Sequence, residues 1–148
     1  MPLHSRASLG QRTFLALLLI LAGGALAQSR ETFKLRLTPV SMDTAMKVNI
    51  EGSGKGAAVL TGNKLTINAT FEGMLGPATS AQLHRGSATG VRGPVILDLK
   101  ISPAPGGEVT GTFDLTPDQL EGLRKGQLYV QIASAKAPDG NLWGWLLK

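Results

Sequence analysis

The chain has 148 residues, with 15 Lys and Arg against 10 Asp and Glu, 19 glycines, 8 prolines, 2 histidines and no cysteine. That length holds one domain, large enough to bury a core without staples, and the lack of cysteine excludes disulfides, thiolate metal ligands and a lipidated N-terminus. The formal charge of +5 is spread one or two basic residues at a time between acids, without the clustering that a nucleic-acid surface needs, so no nucleic-acid partner is expected.

The first segment reads as an export signal. "MPLHSRASLGQRT" carries Arg6 and Arg12 and no acid, "FLALLLILA" from Phe14 to Ala22 is a short apolar run, and Ala25-Leu26-Ala27 supplies small residues for cleavage after Ala27. The run is well short of the about 20 residues that span a bilayer, so a cleaved leader is expected rather than an anchor. The expectation is therefore a signal peptide at 1–27 and one domain at 28–148, secreted or periplasmic, with no transmembrane segment after cleavage. The leader removes two basic residues and no acid, leaving 13 against 10, or +3.

Beyond it, short strands alternate with glycine and proline turns. "TFKLRL" sets Phe33, Leu35 and Leu37 against Lys34 and Arg36. Ala45 to Ile50 and Ala57 to Leu60 are strand candidates, with "EGSGKG" at 51–56 expected as the turn between them. "GSGKG" hints at a phosphate loop, but Asn49 stands where that pattern requires its first glycine and Gly56 where it requires Ser or Thr. "KLTINATF" turns Leu65, Ile67, Ala69 and Phe71 one way and Thr66, Asn68 and Thr70 the other; Asn68-Ala69-Thr70 matches the glycosylation triplet but lies within this strand.

"AQLHRGSATGVRGPVILDL", residues 81–99, reads as a strand, a structured turn and a second strand opened by Pro94, with Gly86, Gly90 and Gly93 supplying backbone freedom. Val109 to Phe113 follows. "LTPDQLEGLRKG" predicts a short helix: Thr116 caps it, Pro117 fits the first turn, Gln119 completes a capping box and Gly126 ends it. Leu128 to Ala133 and Leu142 to Leu147 are joined by the turn "APDGN" into a hairpin. Strands with one wet face point to two antiparallel sheets packed face to face.

Candidate chemistry is sparse. Once His4 leaves with the leader, His84 is the one histidine, too few for a zinc or copper site without an unusual set of carboxylates. It is expected at the surface or in a turn, bonded to nearby backbone. The acids are scattered and show no calcium loop. Ser80 or Ser87 with His84 and Asp98 could be assembled into a triad, but "GSATG" is not a nucleophile elbow. Trp143 and Trp145 are two apart and share a face. Either they lie outward with Tyr129 and Gln131, as a patch for a sugar, a peptide or a partner subunit, or they are part of the core.

Three segments, "AQLHRGSATGVRGPV" (81–95), "GGEVTGTFDLTPDQLEGLRKGQLYVQIAS" (106–134) and "GNLWGWL" (140–146), together resemble the chordin-type, or CHRD, domain family. The likeness runs from Phe33 to Leu147. It implies an exported immunoglobulin-like antiparallel β-sandwich, similar in architecture to copper-zinc superoxide dismutase, with one short connecting helix, a binding role and no general enzymatic activity. Where the family pattern has polar residues that could converge, this chain has Gln82 and Ala133 for histidines and Trp143 for an arginine; His84 remains. The expectation is a non-enzymatic exported module without metal or cofactor, binding a protein, a surface polymer or its own copy through Tyr129, Gln131, Trp143 and Trp145, with His84 and Arg85 as a second set. A chaperone or inhibitor of a secreted enzyme differs only in its partner. The rival is a metal-dependent enzyme or metal-binding protein of dismutase-like form.

Overall fold

The computed structural model describes residues 29–40, 44–45 and 47–148; the expected signal peptide lies outside them. Within them the chain is all-β with one helix. The strands are β1 (Arg30–Pro39), β2 (Ser53–Thr61), β3 (Lys64–Glu72), β4 (Ala78–Arg85), β5 (Val95–Ile101), β6 (Gly107–Asp114), β7 (Leu128–Ser134) and β8 (Leu142–Trp145), with α1 (Pro117–Arg124) between β6 and β7.

Alternation decides what is inside. Phe33, Leu35 and Leu37 of β1 meet Leu60, Leu65, Ile67, Leu83, Val130, Ile132 and Leu142 in a core where none is more than 2% exposed. Each such side chain stabilises the fold by about 1.5–3 kcal/mol.

Two separate sheets were expected; the strands instead close into one barrel in the order β1-β2-β3-β6-β5-β4-β7-β8. The reason lies in two shared strands. β1 pairs with β2 from Arg30 to Leu37, then with β8 at Thr38 and Pro39, with a further bridge from Lys34 to Leu147. β5 passes in the same way from β4 to β6 at Lys100 and Ile101. The β5–β6 seam holds by those two residue pairs alone, so Val95–Leu99 and Gly111–Asp114 have no ladder between them, and eight coiled strands enclose only enough space for side chains.

Two local expectations are corrected. "EGSGKG" is not a turn: β2 begins at Ser53 and runs in register with β3 from Ser53↔Glu72 to Thr61↔Lys64. Its glycines serve close packing, since a Cβ on Gly56 would stand 2.2 Å from the Asn68 carbonyl oxygen and 2.5 Å from the Ala69 Cα. The actual turn is Gly62-Asn63, with Gly62 at φ 62°, in the place where a II′ hairpin turn requires glycine. Among the described residues of 45–50 there is no strand; Lys47–Asn49 is a 3-10 turn, and Val48 is 74% exposed.

The helix follows its sequence signals. Thr116 and Gln119 form the reciprocal capping box. At the other end the Gln127 and Gly126 amides donate to the Gly122 and Leu123 carbonyls, a Schellman closure around Gly126 at φ 71°. "APDGN" closes the β7–β8 hairpin, with Gly140 at φ 130°. Glu31 of β1 accepts from Lys148 and Arg124, tying the first strand to the helix and the last residue. The Lys148 hydrogen bond, then that of Arg124, holds the Glu31 carboxyl below its ordinary range. Among the described residues no helix is long and apolar enough to cross a membrane.

Candidate functional site

On β7 and β8 the inward positions are aliphatic or glycine, so their aromatic residues fall on the outer wall. Leu128, Val130, Ile132, Leu142 and Leu146 belong to the core, while the register lines up His84, Tyr129 and Trp145 in one outer row and Gln82, Gln131 and Trp143 in the next. This resolves the two readings of the tryptophan pair: both rings are half-buried on the outside, and Tyr129 beneath them is only 1% exposed.

The rings form a pile. His84 stacks on Tyr129 at 4.9 Å and 19°, and Trp145 tilts over Tyr129 at 4.4 Å. Trp143 stands edge-on to both, 5.8 Å from Tyr129 and 5.7 Å from Trp145. The Arg92 guanidinium lies 5.8 Å above Trp143 and donates to the Asp139 carbonyl at 3.3 Å.

One glycine locks the pile to the 86–94 loop. The Gly93 amide donates to the Tyr129 hydroxyl oxygen (3.0 Å), and the Tyr129 hydroxyl donates to the Gly93 carbonyl (3.1 Å), which also lies 2.9 Å from His84 Nδ1. A carbonyl only accepts, so Nδ1 carries a proton, and in the neutral ring Nε2 presents a lone pair. Position 93 has no room for a side chain, because a Cβ there would come 1.7 Å from the Arg85 carbonyl oxygen. Gln131 Nε2 donates to the Asp139 carbonyl at 3.4 Å. Among the described residues His84 Nε2 and Gln131 Oε1 are buried acceptors without a partner.

Two sequence expectations change here. His84 does bond backbone, but it is 8% exposed and sits within β4 rather than at the surface or in a turn, because Tyr129 and the loop cover it. Arg85 does not join the aromatic set: its guanidinium donates to the Asp118 carboxylate (2.6 Å), the Asp118 carbonyl and Gln127 Oε1, and lies across Gly122 of α1. It braces the helix. Arg92 completes the site without any local sequence signal; it arrives because the loop folds back along β4, where the Arg85 amide donates to the Pro94 carbonyl.

The triad set aside above is not assembled, since Nδ1 of His84 faces Gly93 and Asp98 accepts from Gln82 at 3.0 Å. Among the described residues no three His, Cys, Asp or Glu side chains stand close enough to hold a metal ion. What the wall offers is a rigid aromatic surface with a polar rim.

Neither a curated protein nor a solved structure matches the chain. The family model of the CHRD domain does, over residues 34–146, which takes in β1 from Lys34 onward, the other seven strands, the helix and the whole aromatic wall. The chain belongs to the CHRD domain family.

Proposed function

We propose that this chain is an exported binding domain that meets its partner through Trp143, Trp145 and Tyr129, with Gln131 and His84 supporting the rings, and that it carries out no reaction itself. One observation carries the reading. Two tryptophans stand half-buried, with part of each ring at the surface, on the outside of a barrel whose interior is already filled by aliphatic side chains, and the Tyr129–Gly93 clasp ties the loop to them. Aromatic side chains fixed at a surface bury much apolar area at little entropic cost when a partner covers them. Membership in the CHRD family, associated with extracellular binding, supports the role, and the N-terminal leader pattern supports the compartment.

The test is co-sedimentation of the protein with the insoluble envelope fraction of its host, comparing wild type with Trp145→Ala at matched thermal stability. Binding should weaken about tenfold or more, the cost of losing a central aromatic anchor. Undiminished co-sedimentation of Trp145→Ala would refute the reading, as would stoichiometric zinc or copper in protein purified without chelator.

A further inference from the structure

The register of the barrel brings together basic residues that the sequence keeps apart. β1 and β8 pair Thr38 with Trp143 and Lys34 with Leu147, which sets Arg36 opposite Trp145. On its other side β1 pairs Arg36 with Lys55 of β2, and β2 pairs Lys55 with Thr70 of β3, which faces Glu108 of β6. Leu35 and Leu37 point inward, so Lys34 and Arg36 share the outer surface with the tryptophans. An outer row thus runs His84, Tyr129, Trp145, Arg36, Lys55, Thr70.

Three features of this row point to a ligand. Lys34, Arg36 and Lys55 are exposed, and among the described residues none of them makes an ion pair. Arg36 and Lys55 are like charges directly opposite each other, an arrangement that costs stability unless an anion lies between them. Beyond Lys55 the wall dips into a shallow depression of about 440 Å³ whose lining includes Asn68, Thr70, Thr110 and Glu108, a set of hydroxyl, amide and carboxylate groups.

We infer that the partner of the aromatic wall is an anionic polysaccharide, an inference that rests on the binding role proposed above. A sugar ring covers the exposed indole surface of Trp145 and Trp143, carboxylate or sulfate groups of the chain meet Arg36, Lys55 and Lys34, and hydroxyls reach the amide and threonine side chains of the depression. Three cations ending at Glu108 are few beside the six to ten phosphate contacts of a typical nucleic-acid surface.

The chain has two tryptophans and both are in the wall, so intrinsic fluorescence reports on this site alone. The full chain is titrated with alginate oligomers, a polyuronate, and separately with cello-oligosaccharides (neutral) and polyglutamate (equally acidic, not a sugar). Alginate should change the emission, bind more weakly as salt rises, and lose about tenfold or more in affinity in Arg36→Ala/Lys55→Ala, whose surface substitutions leave the fold intact. Equal binding of cello-oligosaccharide, or of polyglutamate with the same emission change, would overturn the anionic-sugar assignment while sustaining the wall as a binding site. No emission response to alginate would overturn the inference. Alginate binding with unchanged emission, undiminished in Trp145→Ala, would overturn both it and the wall.

Discussion

Tyr129→Phe removes one oxygen and tests whether the aromatic wall is held by the loop behind it. The phenol accepts from the Gly93 amide at 3.0 Å and donates to the Gly93 carbonyl at 3.1 Å, at a position 1% exposed. After the change the carbonyl keeps His84 Nδ1, but the part-buried Gly93 amide loses its protein partner, and a donor left unsatisfied costs about 1–3 kcal/mol. Taking about 2 kcal/mol, and an unfolding entropy of roughly 0.25 kcal/mol/K for a domain of this size, Tm should fall by about 8 °C. Thermal unfolding followed by far-UV circular dichroism measures it, and the emission of Trp145, whose ring lies 4.4 Å from Tyr129, should shift in the folded variant as the loop loosens. A Tm within about 2 °C of wild type, with unchanged emission, would show that the clasp does not hold the wall and that the rings are positioned by packing alone.

Other outcomes follow from the same geometry. Arg85→Met should lower stability by about 1 kcal/mol in urea unfolding, by untying α1, and leave the alginate response intact; loss of that response in a folded variant would return Arg85 to the site. Gly56→Ala should destabilise by about 3 kcal/mol in the same assay, because its Cβ meets the β3 backbone; an unchanged midpoint would contradict the β2–β3 register. Glu31→Gln should cost up to about 1 kcal/mol at pH 7. A carboxyl whose folded value is lowered contributes stability that is full above its ordinary value of 4.5 and is lost as pH falls through the folded value. The gap between wild type and variant should therefore close in acid, and a gap that persists there would mean that the Lys148 and Arg124 contacts do not act through the charge.

The local features were legible because their causes are local. Period-2 alternation in "TFKLRL" and "KLTINATF" specifies which face of β1 and β3 is buried, and Thr116, Pro117, Gln119 and Gly126 specify the helix within one short stretch. "EGSGKG" misleads because glycine marks both turns and close backbone approach, and only the neighbouring strand tells which. The side taken by Trp143 and Trp145 is set by Gly144 between them, which must face inward because Leu35 and the β1 backbone occupy the space of a side chain. Closure of the barrel depends on β1 meeting β8, and no window of sequence contains both. The cationic strip is hidden for the same reason: Arg36 and Lys55 belong to different strands, and the charge reads as scattered until the register is known.

The ladder between β1 and β8 also sets an order of events. It joins Lys34 to Leu147, so the strand needed to seal the barrel is the last of the eight to be synthesised. Until β8 arrives, β1 and β7 each carry an unpaired edge, the kind of intermediate that associates with other chains. Contacts this distant in sequence also make folding slow. The domain thus becomes committed only once β8 has joined β1, which gives a chain clipped within β8 a very different fate from one clipped in a loop.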